Sequence, residues 1–487
     1  MALPEVILTV TALMVLLTDL VWMRQAPPRT RRLVAAAVTS LGCLVTMGFL
    51  GSLHERMALL DGMMVIDPLT QLVKQVLLVL TMGTAIISVE CDFTDHVGEY
   101  YFLLALATVG MMFLVSAENL LMIFVSLELL SLCLYTMVGF NKRSPQSAEA
   151  ALKYFLFGGM SAAFLLFGLS LVYGLSGSVQ LSQVAARLQG PVLDPLLILA
   201  IVMVVAGLGF KIAAVPFHLW APDTYQGAPT PVAAFIASGS KVASFVILAK
   251  VMLLGLAGAQ GSAGWRQFAP GWFPILAIVA VLSMVLGNLA ALAQTSVRRL
   301  LAYSAVAHAG YALLALLAGR EHGMTALLYY VFTYALTALG AFAVVTVVQE
   351  QAGTENLSSF AGLARRAPLL AICMMVFMLS LAGIPPLAGF FGKFYVFAST
   401  VRAQPQSLGL LWLVVLALAM STVSLYYYLQ VLKQIFVVEA APEVPIIQAS
   451  PLSRAVIGLL ALAVLVLGCL PQILLGNLAD ALRDARF

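Results

Sequence analysis

The stretch Gly209–Phe245, GFKIAAVPFHLWAPDTYQGAPTPVAAFIASGSKVASF, decides how the chain is read. It is apolar enough to lie in a bilayer, yet it carries Lys211, Lys241 and the prolines Pro216, Pro222, Pro229 and Pro231. A proline inside a helix removes a backbone donor, and its ring clashes with the preceding turn, so the helix breaks or kinks there. The expectation is a long half-helix ending near Pro216, a short one over roughly 217–227, and a turn into the next span. Interrupted backbone is tolerated in a membrane only where it faces protein or water. It also exposes half-helix ends whose partial charges suit ions.

The rest of the chain has the same character. Its 487 residues are 62% hydrophobic and 9% charged, and mean hydropathy is +1.04. A soluble domain carries about 25% charged residues. Apolar runs of about 18 residues or more recur to the end, each long enough to cross a bilayer as a helix. The first run is read as a retained span, since a signal peptide would be followed by a soluble body. The net charge of +4 is too small for a nucleic-acid partner. Cys43, Cys91, Cys133, Cys373 and Cys469 are scattered with no CxxC spacing, which argues against cysteine-held iron–sulfur or zinc sites. With no GxGxxG or P-loop, the chain is not expected to bind NADH or ATP itself.

The predicted fold is an all-α membrane protein of about 14 transmembrane helices. Residues 1–97 hold three N-terminal helices, 98–255 a first five-helix repeat, 256–437 a second, inverted one, and 438–487 a last helix. Discontinuities fall in the seventh span, near 193–226, and the twelfth, near 367–401. In the twelfth, LAGIPPLAGFFGKFY holds Gly383, Pro385, Pro386 and Gly389. The breaks are five helices apart, and an odd offset inverts one repeat relative to the other. Arg24, Arg29, Arg31, Arg32, Lys142, Arg143, Arg298, Arg299, Arg365 and Arg366 mark the odd-numbered loops. The even-numbered loops hold single residues such as Arg56, Arg187, Arg266, Arg320 and Arg402. The positive-inside bias then makes the odd loops cytoplasmic and both termini periplasmic. The stretch Glu355–Arg366 reads either as a short amphipathic helix at the interface or as a plain connector.

Ionisable residues within apolar helices carry most of the functional information. A lysine at a helix centre costs roughly 2.5–3.5 kcal/mol on insertion scales. Glu128 lies in FVSLELLSLCL, Lys153 in AALKYFLF, Lys211 and Lys241 in the opening stretch, and Lys393 in GFFGKFYVF. One glutamate cannot neutralise four lysines, which favours a proton relay over a set of structural ion pairs. Each break also has a lysine nearby, Lys211 before the first and Lys393 after the second. These are 182 positions apart (393 − 211), and Glu128 and His308 are 180 apart (308 − 128). His308, in YSAVAHAGYALL, is thus a candidate counterpart of Glu128, with a satisfied structural histidine as the plainer reading. Lys153 lies early in its helix and could snorkel instead of relaying. Asp19 reads as a solvated helix-end charge and Lys250 as a snorkelling lysine. Lys74 has no motif around it.

On these residues the chain resembles the proton-translocating antiporter-like family. That family comprises three large subunits of respiratory complex I, Mrp-type sodium/proton antiporters and membrane-bound hydrogenases. The resemblance covers nearly the whole chain. Within the family, FHLWAPDTYQGAP (Phe217–Pro229) is similar to the subunit N form, whereas relatives read closer to PDAH-x-EAP. Subunit M carries Glu where this chain has Lys393, and subunit L carries an appended lateral helix that this chain lacks. The resemblance implies that Glu128 pairs with Lys211 and that Lys241 forms a central relay with His308. Lys393 would lie on the exit side, and Lys153 would modulate the entrance. It implies a membrane-arm subunit of NADH:quinone oxidoreductase in a bacterial inner membrane, beside subunits K and M. NADH, FMN, iron–sulfur clusters and quinone would belong to partner subunits, with no cofactor in this chain. A Mrp-type antiporter or hydrogenase subunit, or a scaffold without an ion path, are the alternatives.

Overall fold

The computed structural model describes residues 3–51, 56–189, 194–265, 267–403, 408–439 and 447–485; Arg266 lies outside them. Twelve described helices are long and apolar enough to cross a membrane. They are α1 (Leu3–Trp22), α2 (Pro28–Leu50), α3 (Pro68–Glu90), α4 (Val97–Ser116), α5 (Leu120–Val138), α6 (Pro145–Ser176), α10 (Thr230–Gly255), α11 (Trp272–Leu292), α12 (Val297–Leu317), α13 (Gly319–Ala352), α17 (Leu411–Phe436) and α18 (Pro451–Cys469). Two broken pairs complete the bundle: α8 (Pro195–Lys211) with α9 (Trp220–Gly227), and α15 (Pro368–Ala382) with α16 (Ala388–Arg402). Short helices α7 (Leu181–Arg187), α14 (Leu363–Arg366) and α19 (Gln472–Asp484) lie between and after the spans.

Local chemistry sets the starts. Pro28, Pro68, Pro145, Pro195, Pro368 and Pro451 open their helices, where the missing N–H would be unpaired anyway. Asp67 and Thr70 form a reciprocal capping box on α3, and Asn119, Ser144, Asp194, Ser296 and Ser450 cap α5, α6, α8, α12 and α18.

The bundle has a centre and a rim. In the most apolar stretch of each helix, 100% of residues are buried in α10 and 94% in α12 and α13, against 33% in α1, α6, α17 and α18. The central helices are therefore sheathed by protein, and the rim helices present apolar side chains outward. Helix α10 is interrupted by π-helical turns at Ile236–Ser240 and Val251–Gly255, which bracket the regular segment Lys241–Lys250. Such turns are frequent at functional sites.

Both proline breaks are present, and their freed backbone finds partners. After Lys211 the chain passes through Ala213 at φ 56°, and after Ala382 through Gly383 at φ 88°. The Val215 N–H donates to Ser283 Oγ at 2.9 Å and the Gly389 N–H to Ser380 Oγ at 3.1 Å. The indole N–H of Trp220 donates to the Phe210 carbonyl at 3.0 Å. The left-handed residues of the two breaks are 170 positions apart (383 − 213). This differs from the spacings of 182 and 180, so Lys211 and Lys393 are not equivalent about their breaks. The first precedes its break and the second follows it.

The structure decides one open local expectation and corrects others. Glu355–Arg366 holds a 3-10 turn, Leu357–Phe360, and the single turn of α14. Phe360, Leu363 and Arg366 are buried against protein, so it is a packed connector and not an interfacial helix. Arg298, counted as a loop cation, is also buried. Two hairpins, Met57–Leu59 with Met64–Ile66 and Ser262–Gly264 with Gln267–Ala269, were not foreseen, because three-residue strands leave no periodic signal.

Candidate functional site

On α5, Glu128, Ser131 and Tyr135 recur at helical spacing and share one face. Buried Lys211, the last residue of α8, reaches that face: its Nζ donates to Ser131 Oγ at 2.6 Å and to Tyr135 OH at 3.4 Å. The rings of Tyr135, Phe210 and Tyr154 lie 5.1, 5.2 and 5.8 Å from the ammonium, within cation–π range. The pocket depends on Gly158, where a Cβ would overlap the Tyr135 hydroxyl. Glu128 is half-buried and electrostatically coupled to Lys211. Its Oε1 has no hydrogen-bond partner, and no ion pair joins the two side chains among the described residues. Ser131, one turn along α5, takes the ammonium's hydrogen bond in place of Glu128.

Lys241 opens the regular segment of α10 between α12 and α13. Its Nζ donates to the Ala305 carbonyl at 2.6 Å and lies 5.7 Å from the Tyr334 ring. His308, on α12, is held from both sides: Nδ1 is 2.6 Å from Tyr330 OH and Nε2 3.1 Å from Tyr428 OH. Tyr428 OH in turn meets Ser304 Oγ at 2.5 Å. A cavity of about 10 Å³, lined by Lys241, Phe245, His308, Tyr330 and Tyr334, separates the lysine from the imidazole. That is room for about one water molecule.

Lys393, one turn into α16, is buried at the second break. It donates to the Ala382 carbonyl and to Ser421 Oγ, both at 2.9 Å, and lies 5.2 Å from the Tyr311 ring. Ala382 is the last residue of α15, so the ammonium sits at the negative end of a half-helix. A Cβ at Gly383 would stand 2.9 Å from Lys393 Cδ, and φ 88° already favours glycine there. Tyr311 OH accepts from Asn288 Nδ2 at 3.0 Å, and Tyr427 OH donates to Asn288 Oδ1 at 2.9 Å. The His308 and Tyr311 rings are 5.8 Å apart, so aromatic groups lead from His308 to Lys393, with the small cavity between His308 and Lys241. Among the described residues, no carboxylate pairs with Lys211, Lys241 or Lys393, and no side-chain hydrogen bond joins Lys211 to Lys241.

The remaining charges fall elsewhere. Lys153 is no buried relay group: its side chain is 39% exposed and pairs with Glu149 and Asp223, each at 2.7 Å. Asp223 also takes Arg299 at 2.8 Å, tying α9 to α6 and α12. Asp19 is buried, accepting a two-pronged bond from Arg31 at 2.7 and 2.6 Å and the Gly98 N–H at 2.9 Å. Lys74 forms a fully buried pair with Glu5 at 2.6 Å. Lys250 does not snorkel: it is 1% exposed, under α3 and α4.

Comparison with known proteins identifies the family. Residues 117–421 match the family described as NADH:quinone oxidoreductase/Mrp antiporter, transmembrane. The chain belongs to that family. It is 54% identical over 484 residues to NADH-quinone oxidoreductase subunit N 2 of Acidobacterium capsulatum, covering 98% of this chain and 97% of that one. A chain of respiratory complex I from Thermus thermophilus, solved with bound aureothin, is 37% identical with a TM-score of 0.78, covering 97% of this chain and 98% of that one. A chain of the Mrp complex from Dietzia shares the fold at 22% identity and TM-score 0.80, covering 99% and 97%.

In this NADH:quinone oxidoreductase/Mrp antiporter chain, the matched region contains all six candidate residues, Glu128, Lys153, Lys211, Lys241, His308 and Lys393, and leaves out α1 to α4 as well as α18 and α19. The groups that sequence reasoning missed are hydroxyls: Ser131, Tyr135, Ser304, Tyr311, Tyr330, Ser421, Tyr427 and Tyr428. Helical spacing from Glu128 would have found Ser131 and Tyr135. The same spacing from His308 on α12 would have found Ser304 and Tyr311; the others approach from separate helices and leave no local signal.

Proposed function

We propose that this chain is a proton-translocating membrane subunit of an NADH:quinone oxidoreductase, occupying the subunit N position next to subunits K and M. The observation that carries it is the manner in which three buried lysines are held. Lys211, Lys241 and Lys393 donate to serine, tyrosine and backbone oxygens and to no carboxylate. An ammonium held in this way can give up its proton without leaving a bare anion behind. His308 between two tyrosine hydroxyls can pass a proton either way, because each ring nitrogen has a hydroxyl in reach. Redox chemistry in partner subunits, which hold NADH, FMN, iron–sulfur clusters and quinone, would drive the cycle by changing the charge near one end. Glu128 would report that change to Lys211, which requires two arrangements of the pair with different energies. Protons then pass Lys241 and leave beyond Lys393, while the Lys153–Asp223 pair holds α9 at the entrance. The 14-helix count, with each broken pair taken as one span, and the inverted repeats about the breaks belong to this reading.

Lys211→Ala should abolish redox-driven proton uptake in inverted membrane vesicles while the complex still assembles. Near-normal uptake with the variant fully incorporated would sink the relay assignment. The arginine bias supports a bacterial inner-membrane orientation with both termini periplasmic. A cysteine at exposed Lys142 should then react with an impermeant thiol reagent in inverted vesicles but not in intact spheroplasts. The reverse pattern would overturn the orientation.

A further inference from the structure

Outside the relay, charged groups gather at the end of the bundle opposite the arginine-rich first loop. Helix α10 ends there, beside the starts of α1 and α3 and the turn after α4. The groups differ in how well they are satisfied. Glu5 and Lys74 are 1% exposed and bonded at 2.6 Å, but Glu5 Oε2 has no partner. One turn from Lys74, the buried Gln71 leaves Nε2 without an acceptor. Lys250 is also 1% exposed, and its ammonium makes no hydrogen bond; its nearest carboxylate, Glu118 Oε1, is 3.9 Å away. Glu118 is held in place by its backbone, its N–H on the Met63 carbonyl at 3.1 Å and its carbonyl on the Leu181 N–H at 3.0 Å. Its side chain is 21% exposed, so it touches both Lys250 and the surface.

A lysine kept only for packing would be tied down as Lys74 is. Lys250 instead ends the regular segment of α10, at the π-helical turn, with a loose carboxylate between it and the outside. We propose that Lys250 and Glu118 form a second proton-exchange site, which opens on the side of the membrane opposite the arginine-rich loops. In the forward step an N–H bond of the Lys250 ammonium breaks, its electron pair stays on nitrogen, and an O–H bond forms on Glu118. That O–H then gives its proton to surface water and restores the carboxylate; the reverse sequence reloads Lys250. The charged groups around Lys250 are Asp67 and Lys74 on α3, Glu118 after α4, and Arg56 before the first hairpin. Lys74 brings Glu5 with it, whereas Arg187 of α7 is turned to the carbonyls of Ser176 and Gly177. The charge on Lys250 lies nine residues from Lys241 on the same helix, about 13.5 Å along its axis. Emptying one site therefore alters the field at the other. Four of these groups, Glu5, Asp67, Gln71 and Lys74, lie outside the region that matches the family. The site rests on the proton-translocating reading, since it exchanges the ion that the relay carries.

The test uses the intact complex in inverted vesicles prepared at a series of lumen pH values. Proton uptake per NADH oxidised is measured, and assembly is followed on native gels. Lys250→Met and Lys250→Arg should assemble and lose at least about half the uptake, because guanidinium keeps its proton. Glu118→Gln should lose a comparable share of the uptake, because an amide cannot take up the proton, and should move the half-maximal lumen pH of what remains downward by about one unit, the size of losing a neighbouring opposite charge. Full uptake and an unmoved profile with Lys250→Arg would overturn the proposal, since the site would then need only a fixed cation. If neither Lys250 variant assembles, Glu118→Gln decides alone, and an unmoved profile overturns the site. Lys211→Ala run alongside separates the readings: normal uptake there removes the relay itself, whereas lost uptake there with normal Lys250→Arg removes only this site.

Discussion

At the scale of single residues, Lys393 separates a relay from a fixed structural charge most sharply. Its acceptors, the Ala382 carbonyl and Ser421 hydroxyl, suit any cation that fits. Arginine keeps the charge but does not release a proton in proteins. A proton exit should therefore fail in Lys393→Arg as well as in Lys393→Ala, each to below about a tenth of wild-type uptake, a loss of more than about 1.4 kcal/mol in the limiting step. Subunit content, checked by blot, should be unchanged. Full pumping by the arginine variant alone would reduce Lys393 to a packing charge. The lysines were legible in the sequence because a charge within an apolar run is costly enough to demand a reason. The tyrosines were not, since an aromatic residue in a membrane helix needs none. Asp19 and Lys250 were misread for another reason: nearness to a helix end says nothing about what packs over it. Arg31 and Gly98 cover the first, and α3 and α4 the second.

At the scale of elements, the proline breaks were legible almost to the residue, because proline acts through its own backbone. Which groups would satisfy the freed backbone was not, because Ser283 comes from a distant part of the chain. Buried Arg298 has the same kind of role. Its Nε donates to the Tyr225 carbonyl at 2.8 Å, one Nη to the Ala228 carbonyl and the other to Gln349 Oε1 at 3.3 Å. One guanidinium thus fastens the end of α9 to α12 and α13. Arg298→Leu would leave buried carbonyls unsatisfied at roughly 1–3 kcal/mol each. The half-time of thermal inactivation of the assembled complex should shorten several-fold. Arg298→Lys should recover only part of it, since an ammonium lacks the planar fork. A half-time unchanged in Arg298→Leu would exclude the clamp.

At the scale of the whole molecule, burial rises from rim to centre, and the residues of the proposed relay follow it. Lys241 and His308 sit on the central helices, and Lys211 and Lys393 on the broken pairs beside them. This radial order was only partly legible, since hydropathy marks a span without saying whether lipid or protein surrounds it. The Glu5–Lys74 pair adds a requirement that concerns how the chain is made. Removing one partner of a buried pair costs about 3–5 kcal/mol, whereas replacing both with apolar groups is often neutral. Glu5→Gln or Lys74→Met alone should therefore lower the amount of full-length chain integrated into membranes, and the double variant should restore it. Equal yields from all three would show that the charges enter independently. During synthesis α1 is complete at Trp22, before its counter-charge, 69 residues after Glu5 (74 − 5), has been translated. The first helix must then wait beside the translocon, unsettled, until the third arrives to take its charge.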